Sequence, residues 1–132
     1  MTRFLNHTLK SLLITAAVAI SPFAHALDVV AYNDATFASA QAAGKPSVIM
    51  FHATWCPTCK LQDKSLDALK ADPELKNVIV FKADFDTSVA LKQAQKVRTQ
   101  STFVAFKGKE EVARSTADTQ VDSIKAMFKK SL

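Results

Sequence analysis

The sequence predicts an α/β fold, a central mixed β-sheet flanked by helices in the order β-α-β-α-β-α-β-β-α. Three observations carry this expectation. Two short and nearly continuous apolar runs, at residues 47–52 and 78–81, read as strands covered on both faces, which places them inside a largely parallel sheet. Helix-forming segments alternate with these runs, as crossover connections between parallel strands require. Late in the chain, two strand-like stretches flank Lys107-Gly108-Lys109, the signature of a tight antiparallel hairpin.

The first 26 residues are set apart from that fold. Arg3, His7 and Lys10 precede an uncharged apolar stretch from residue 11 to 20, Pro22 breaks it, and Ala24-His25-Ala26 places small residues where a signal peptidase reads. The stretch is short for a membrane span, which needs about 20 apolar residues. The expectation is a signal peptide at residues 1–26, cleaved after Ala26, and one domain at 27–132 that does not span a membrane. Removing the leader takes away Arg3 and Lys10 and no acid, so the formal +5 becomes +3. The remaining lysines and arginines alternate with acids and form no block, so a nucleic-acid partner is not expected.

Within 27–132 each element has a local reason. Residues 27–32 are apolar and β-branched, a first strand. Asn33 and Asp34 offer caps for an alanine-rich helix over 35–43 anchored by Phe37, and Gly44 with Lys45-Pro46 ends it. After the central strand at 47–52, residues 60–70 have helical composition. Leu61, Leu66 and Leu69 are the expected buried positions there, with Asp63, Lys64, Asp67 and Lys70 facing water. Asp72-Pro73 interrupts that helix, and the strand at 78–81 runs on into Lys82-Ala83-Asp84. A helix over 88–96, strands at 102–107 and 112–115, and a last helix from 119 to 130 complete the order. In that last helix Val121, Ile124 and Phe128 are expected on the buried face, with Asp118 or Thr119 as cap.

Between the central strand and the next helix stands Trp55-Cys56-Pro57-Thr58-Cys59-Lys60, with the only two cysteines of the chain. A Cys-x-x-Cys pair at a strand-to-helix junction reads as a dithiol/disulfide centre. It would close too small a loop to constrain the unfolded chain much, so a purely structural disulfide explains it poorly. It is also half of a zinc site, but structural zinc takes four protein ligands. Residues 27–132 offer no second cysteine pair and one histidine, His52. If the helix begins at Pro57, which suits a first helical position, Cys56 becomes the N-cap. The free N–H groups and positive end of the helix then favour its thiolate. Cys56 is the expected exposed nucleophile, Cys59 the more buried resolving thiol, and Trp55 a lid beside them.

Trp-Cys-Pro-Thr-Cys-Lys after an apolar strand, in this order of elements, resembles the thioredoxin family over essentially all of residues 27–132. The Pro57-Thr58 dipeptide is similar to that of periplasmic cytochrome c maturation thioredoxins. The Asp72-Pro73-Glu74-Leu75 segment is similar to the periplasmic C-terminal domain of the transmembrane disulfide reductase. The resemblance implies a thioredoxin-like fold and reversible exchange with protein thiols and disulfides. It needs no cofactor beyond the Cys56–Cys59 pair, works as a monomer, and is recharged by a membrane or soluble redox partner. Combined with the leader, it places the protein in the bacterial periplasm.

The chain departs from the family's pattern at several positions. The buried aspartate that thioredoxins usually carry six residues before the first cysteine is Met50 here. Lys82 matches the lysine that accompanies that aspartate, although a lysine there also reads as a solvated strand end. His52 could move protons near the cysteines, or simply fill space. Ser101 stands at the place of the family's cis-proline, where Gln100, Ser101 and Thr102 would face a bound substrate. A cis bond before serine costs about 2.5–4 kcal/mol, which leaves the loop trans or strained. Ala117 takes the place of a glycine near the end of the last strand.

Together these features point to an exported thiol–disulfide oxidoreductase, leaning to reductase. Two other classes stay open: a dimeric metal- or iron–sulfur-binding module using four thiolates, and a redox-dependent binding or chaperone protein.

Overall fold

The computed structural model describes residues 27–132; the expected leader lies outside the described residues. The chain runs β1 (Leu27–Ala31), α1 (Asp34–Ala42), β2 (Pro46–His52), α2 (Pro57–Leu69), a 3₁₀ turn (Pro73–Leu75), β3 (Val78–Asp84), α3 (Val89–Ala94), β4 (Thr102–Lys107), β5 (Glu110–Thr116) and α4 (Val121–Lys129). The strands form one sheet in the order β1-β3-β2-β4-β5. β1, β3 and β2 are mutually parallel, while β4 and β5 are antiparallel additions. This is the mixed, thioredoxin-like α/β sheet that the sequence predicts, with β2 at its centre.

Strand alternation divides the core into two layers. Val48 and Met50 of β2, Val78 and Val80 of β3, and Phe103 and Ala105 of β4 face one side. They pack there with Leu66 and Leu69 of α2 and with Ile124, Met127 and Phe128 of α4. Ile49, Phe51, Phe81, Ala83, Val104 and Phe106 face the other side, against Phe37 and Ala40 of α1. Phe128 is fully buried and meets Phe103 edge-on, ring centroids 5.3 Å apart. Burying such a side chain is worth about 1.5–3 kcal/mol, and the ring pair adds about 0.5–1.5 kcal/mol.

The helices depart from expectation in phase and length. In α2 the buried residues are Cys59, Gln62, Ser65, Leu66 and Leu69, and Leu61 is exposed. Cys59, buried with Ala53 and Cys56 just past the end of β2, sets the phase: positions 62, 66 and 69 follow it at helical spacing, whereas 61 points about 200° away. Asp63, expected in water, lies at the flank of the buried face. α3 is shorter than predicted, with no side-chain cap. α4 starts two residues late, after Gln120, and Val121 in its first turn is exposed rather than on the expected buried face, which is formed by Ile124, Met127 and Phe128. Asp118 still organises that start, its carboxylate accepting from the Gln120 N–H and from the Ser123 hydroxyl.

Candidate active site

The pair sits where β2 leaves the sheet and α2 begins. Cys56 has extended φ/ψ (−84°, 114°) and Pro57 opens the helix, so the Cys56 sulfur takes the N-cap position and accepts the Cys59 N–H at 3.1 Å. Cys59 lies one turn on, wholly inaccessible. The expected exposure of Cys56 is not found: the residue is only 2 % accessible. A turn closed by Cys56 N–H to the Ala53 carbonyl at 3.2 Å draws it inward, and the loop before β4 covers it.

That loop brings Ser101 onto both sulfurs. Its hydroxyl lies 3.1 Å from Cys56 Sγ and 3.2 Å from Cys59 Sγ. The peptides of the described residues are all trans, and Ser101 meets the fold instead by adopting the left-handed region, φ +61°. For an L-residue that conformation costs roughly 1–2 kcal/mol. Three contacts hold it there: Ser101 N–H donates to the Phe51 carbonyl at 2.8 Å, and its own carbonyl accepts from Ala117 N–H at 2.9 Å and from Gln62 Nε2 at 3.0 Å. Ala117, at the glycine-like position, is itself left-handed at φ +60°. Two strained residues are thus bonded to each other beside the sulfurs.

Gln62 is the staple that sequence reasoning missed. It is fully buried, and its amide also donates to the Asp118 carbonyl at 2.9 Å, while Oε1 has no partner. Ser65 adds a bond from Oγ to the Thr119 carbonyl at 2.7 Å. Counting helical phase from Cys59 would have found both residues.

The electrostatics separate the two thiols. Burial alone would raise Cys56, but hydrogen bonds from the Cys59 thiol, the Ser101 hydroxyl and the Cys59 and Thr58 N–H groups together bring it below the ordinary thiol range. Burial raises Cys59, and its hydrogen bond to Cys56 raises it further. The Ser101 hydroxyl and the Ala53 N–H oppose this only in part. The arrangement therefore favours a thiolate at position 56 with a protonated thiol one turn behind it.

The remaining sequence-predicted residues are distributed unevenly around this centre. The Trp55 ring is 56 % exposed and tied by Nε1 to Asp86 at 2.8 Å, so it stands beside the pair rather than over it. Pro57 is exposed and Thr58 half-buried on the first turn of α2, and Gln100 is half-buried ahead of Ser101. Thr102 is buried, its hydroxyl donating to the Thr99 carbonyl at 2.9 Å and meeting Thr116 Oγ1 at 3.0 Å, so that side chain is committed to the fold.

Behind the pair, His52 and Lys82 come together on Asp63. His52 Nε2 lies 2.9 Å from Asp63 Oδ2, and Lys82 Nζ lies 2.7 Å from Asp63 Oδ1. Lys82 is thus ion-paired rather than a freely solvated strand end, and His52 holds a carboxylate rather than only filling space. Met50, fully buried, pairs in register with Lys82 across β2 and β3. Among the described residues, no group of three or more His, Cys, Asp or Glu side chains is gathered as a metal ion would need. No helix there is long and apolar enough to cross a membrane.

Comparison with known proteins agrees with this geometry. The thioredoxin family model matches residues 28–130. A thioredoxin of Chlamydia trachomatis is 35% identical over 83 residues, covering 63% of this chain and 79% of that protein. An H-type thioredoxin of Chlamydomonas reinhardtii is 35% identical over 81 residues, covering 61% of this chain and 71% of its own. Among solved structures, Trxlp from Edwardsiella tarda superposes with a TM-score of 0.73 at 38% identity, covering 76% of this chain and 98% of that one. The germline-specific thioredoxin Deadhead of Drosophila melanogaster does so with a TM-score of 0.63 at 29% identity, covering 80% and 98%.

Proposed function

The chain belongs to the thioredoxin family of thiol–disulfide oxidoreductases, and from that premise we propose that it is an exported, periplasmic reductase of protein disulfides. The observation that carries the reading is the asymmetry of the two sulfurs. Cys56 caps α2 and collects hydrogen bonds that favour its thiolate, while Cys59 is buried and held protonated.

In this mechanism the Cys56 thiolate attacks a substrate disulfide. A Cys56–substrate S–S bond forms, the substrate's own S–S bond breaks, and the first substrate thiol leaves. Cys59 then loses its proton and attacks Cys56 Sγ, forming the Cys56–Cys59 disulfide and releasing the second substrate thiol. The substrate gains two electrons and the pair loses two. A separate thiol reductant must return the pair to its reduced form.

Ser101 supports both steps from one place, because its hydroxyl can donate to whichever sulfur carries the charge. Gln100, just ahead of Ser101, supplies the backbone beside which a substrate segment lies, with Trp55 on the opposite rim. The reductase direction rests on the likeness to thioredoxins and on the connection between α2 and β4. That connection holds only the 3₁₀ turn, β3 and α3, with no inserted domain. Export rests on the charged, apolar and small-residue pattern of residues 1–26, and the periplasm on the family resemblance of the rest.

The deciding experiment is a Cys59→Ala variant expressed with its leader in a Gram-negative host. Stable mixed disulfides on Cys56, recovered from the periplasmic fraction, are expected. No trapped partner would overturn exchange as the activity, and recovery from the cytoplasm alone would overturn export. Titration against glutathione tests direction: a potential near that of strong oxidants, about −120 mV, would reverse it.

A further inference from the structure

Resolution needs a base for a thiol that is wholly buried and held protonated, and the family's usual carboxylate position carries Met50, which has no acid–base chemistry. We propose that His52, oriented by Asp63, accepts the Cys59 proton, so that a base supplied by the end of β2 and the second turn of α2 does the work at this site. This inference rests on the exchange mechanism above and names a proton acceptor for its second step.

Two anchors place the pair next to Cys59. Asp63 is four residues beyond Cys59 on α2, and residues so spaced are neighbours on one helix face. His52 is the chain neighbour of Ala53, which is buried in one cluster with Cys56 and Cys59. Asp63 then fixes the ring. Its Oδ1 is held by Lys82 at 2.7 Å, and its Oδ2 lies 2.9 Å from His52 Nε2; a carboxylate only accepts, so Nε2–H is the donor and Nδ1 of the neutral ring is left as the acceptor nitrogen. Access is graded as a relay requires. Cys59 is closed to solvent, the His52 side chain is 13% exposed and that of Asp63 34%, so a proton received there can pass on to water.

The charged groups around His52 are Asp63 on α2 and, on β3, Lys82 and Asp84. Asp84 is the register partner of His52 and is occupied by N–H and hydroxyl donors from Asp86 and Thr87. Proton balance is simple. Cys59 S–H gives its proton to Nδ1, the Cys59 sulfur bonds to Cys56, and the departing substrate thiolate is protonated from solvent or from the same ring.

Rapid mixing of the reduced full-length protein with a chromogenic aromatic disulfide separates the steps. The first equivalent of aromatic thiolate reports attack by Cys56, and the second reports resolution by Cys59. His52→Gln and Asp63→Asn should slow the second phase by about tenfold or more below neutral pH, moving its profile to higher pH. The first phase should stay within about twofold, and Asp63→Glu should recover part of the loss. An unchanged second phase in folded His52→Gln protein would overturn the proposal. So would both phases falling together with the melting temperature, since that marks a structural role only. Wild-type protein that releases no second equivalent would instead remove the exchange mechanism beneath it.

Discussion

The two sides of the cysteine pair solve different problems with different materials. On the side of the loop before β4, Ser101 and Ala117 are both left-handed, hydrogen-bonded to each other, and pinned by the buried Gln62 amide. Backbone conformation is what puts a hydroxyl 3.1–3.2 Å from both sulfurs. On the inner side the backbone is regular strand and helix, and the chemistry is carried by side chains alone, Asp63 bridging His52 and Lys82. The first side governs which sulfur carries negative charge. The second handles the proton that the buried sulfur must lose. Strain is concentrated in the loop that covers the sulfurs, and ionic pairing on the partly exposed flank of α2.

The contrast can be broken most severely at Gln62, which ties the Ser101 loop to the connection between β5 and α4. Gln62→Ala removes two bonds, one to the buried Ser101 carbonyl and one to the part-buried Asp118 carbonyl, and should destabilise the reduced protein by about 2–4 kcal/mol in denaturant unfolding. It should also slow alkylation of Cys56. Normal stability in this variant would mean that the Ser101 loop holds its own shape.

Ser101→Ala and Ser101→Gly sharpen the contrast. Both remove the hydroxyl, but glycine also releases the left-handed strain. A hydrogen bond to a charged sulfur is worth about 1.5 kcal/mol, so both variants should lose roughly tenfold in iodoacetamide reactivity of Cys56 near pH 6.5. If only alanine shows the loss, strain rather than the hydroxyl is responsible. Ala117→Gly makes the converse test. It should raise stability by about 1 kcal/mol, seen as a higher Tm, with Cys56 reactivity unchanged.

The smallest effect is in pH dependence. Cys56 is lowered in the folded state, so its contribution to stability is present above the unfolded thiol range and is lost as pH falls through its folded value. Cys59 is raised, so its contribution is present below that range and is lost as pH rises through its folded value. The Tm of the reduced protein should therefore rise and then fall across the alkaline range, with Cys56→Ser flattening the rising limb and Cys59→Ser the falling one. A monotonic curve would show that the two thiols are not held apart as described.

Much of this architecture was legible in the sequence. The apolar runs of β2 and β3 mark strands covered on both faces, and Gly108 marks the hairpin turn. Cys56-Pro57 marks the helix start, because each is a local signal with a local cause. The site's two distinctive features were not legible, for two reasons. The burial phase of α2 follows from Cys59 being buried with Ala53 and Cys56 just past the end of β2. An apolar Leu61 therefore ends in water, while Gln62 and Asp63 turn inward. Ser101 in place of proline announces a trans or strained loop, but the left-handed turn itself is imposed by bonds to Phe51, Gln62 and Ala117, residues distant in sequence. Polar residues recruited by tertiary placement leave little trace in hydropathy.

The left-handed turn at Ser101 also bears on how such a site could change over generations. Proline and serine at this place are close as sequences but far apart as backbones. Proline holds φ near −65°, whereas Ser101 sits at +61°. Placing proline at this position would rotate the chain by well over 100° at one residue and disturb the bonds that the Ser101 carbonyl accepts from Gln62 and Ala117. Proline would also remove the N–H that donates to the Phe51 carbonyl, so changing residue 101 alone fits this loop badly.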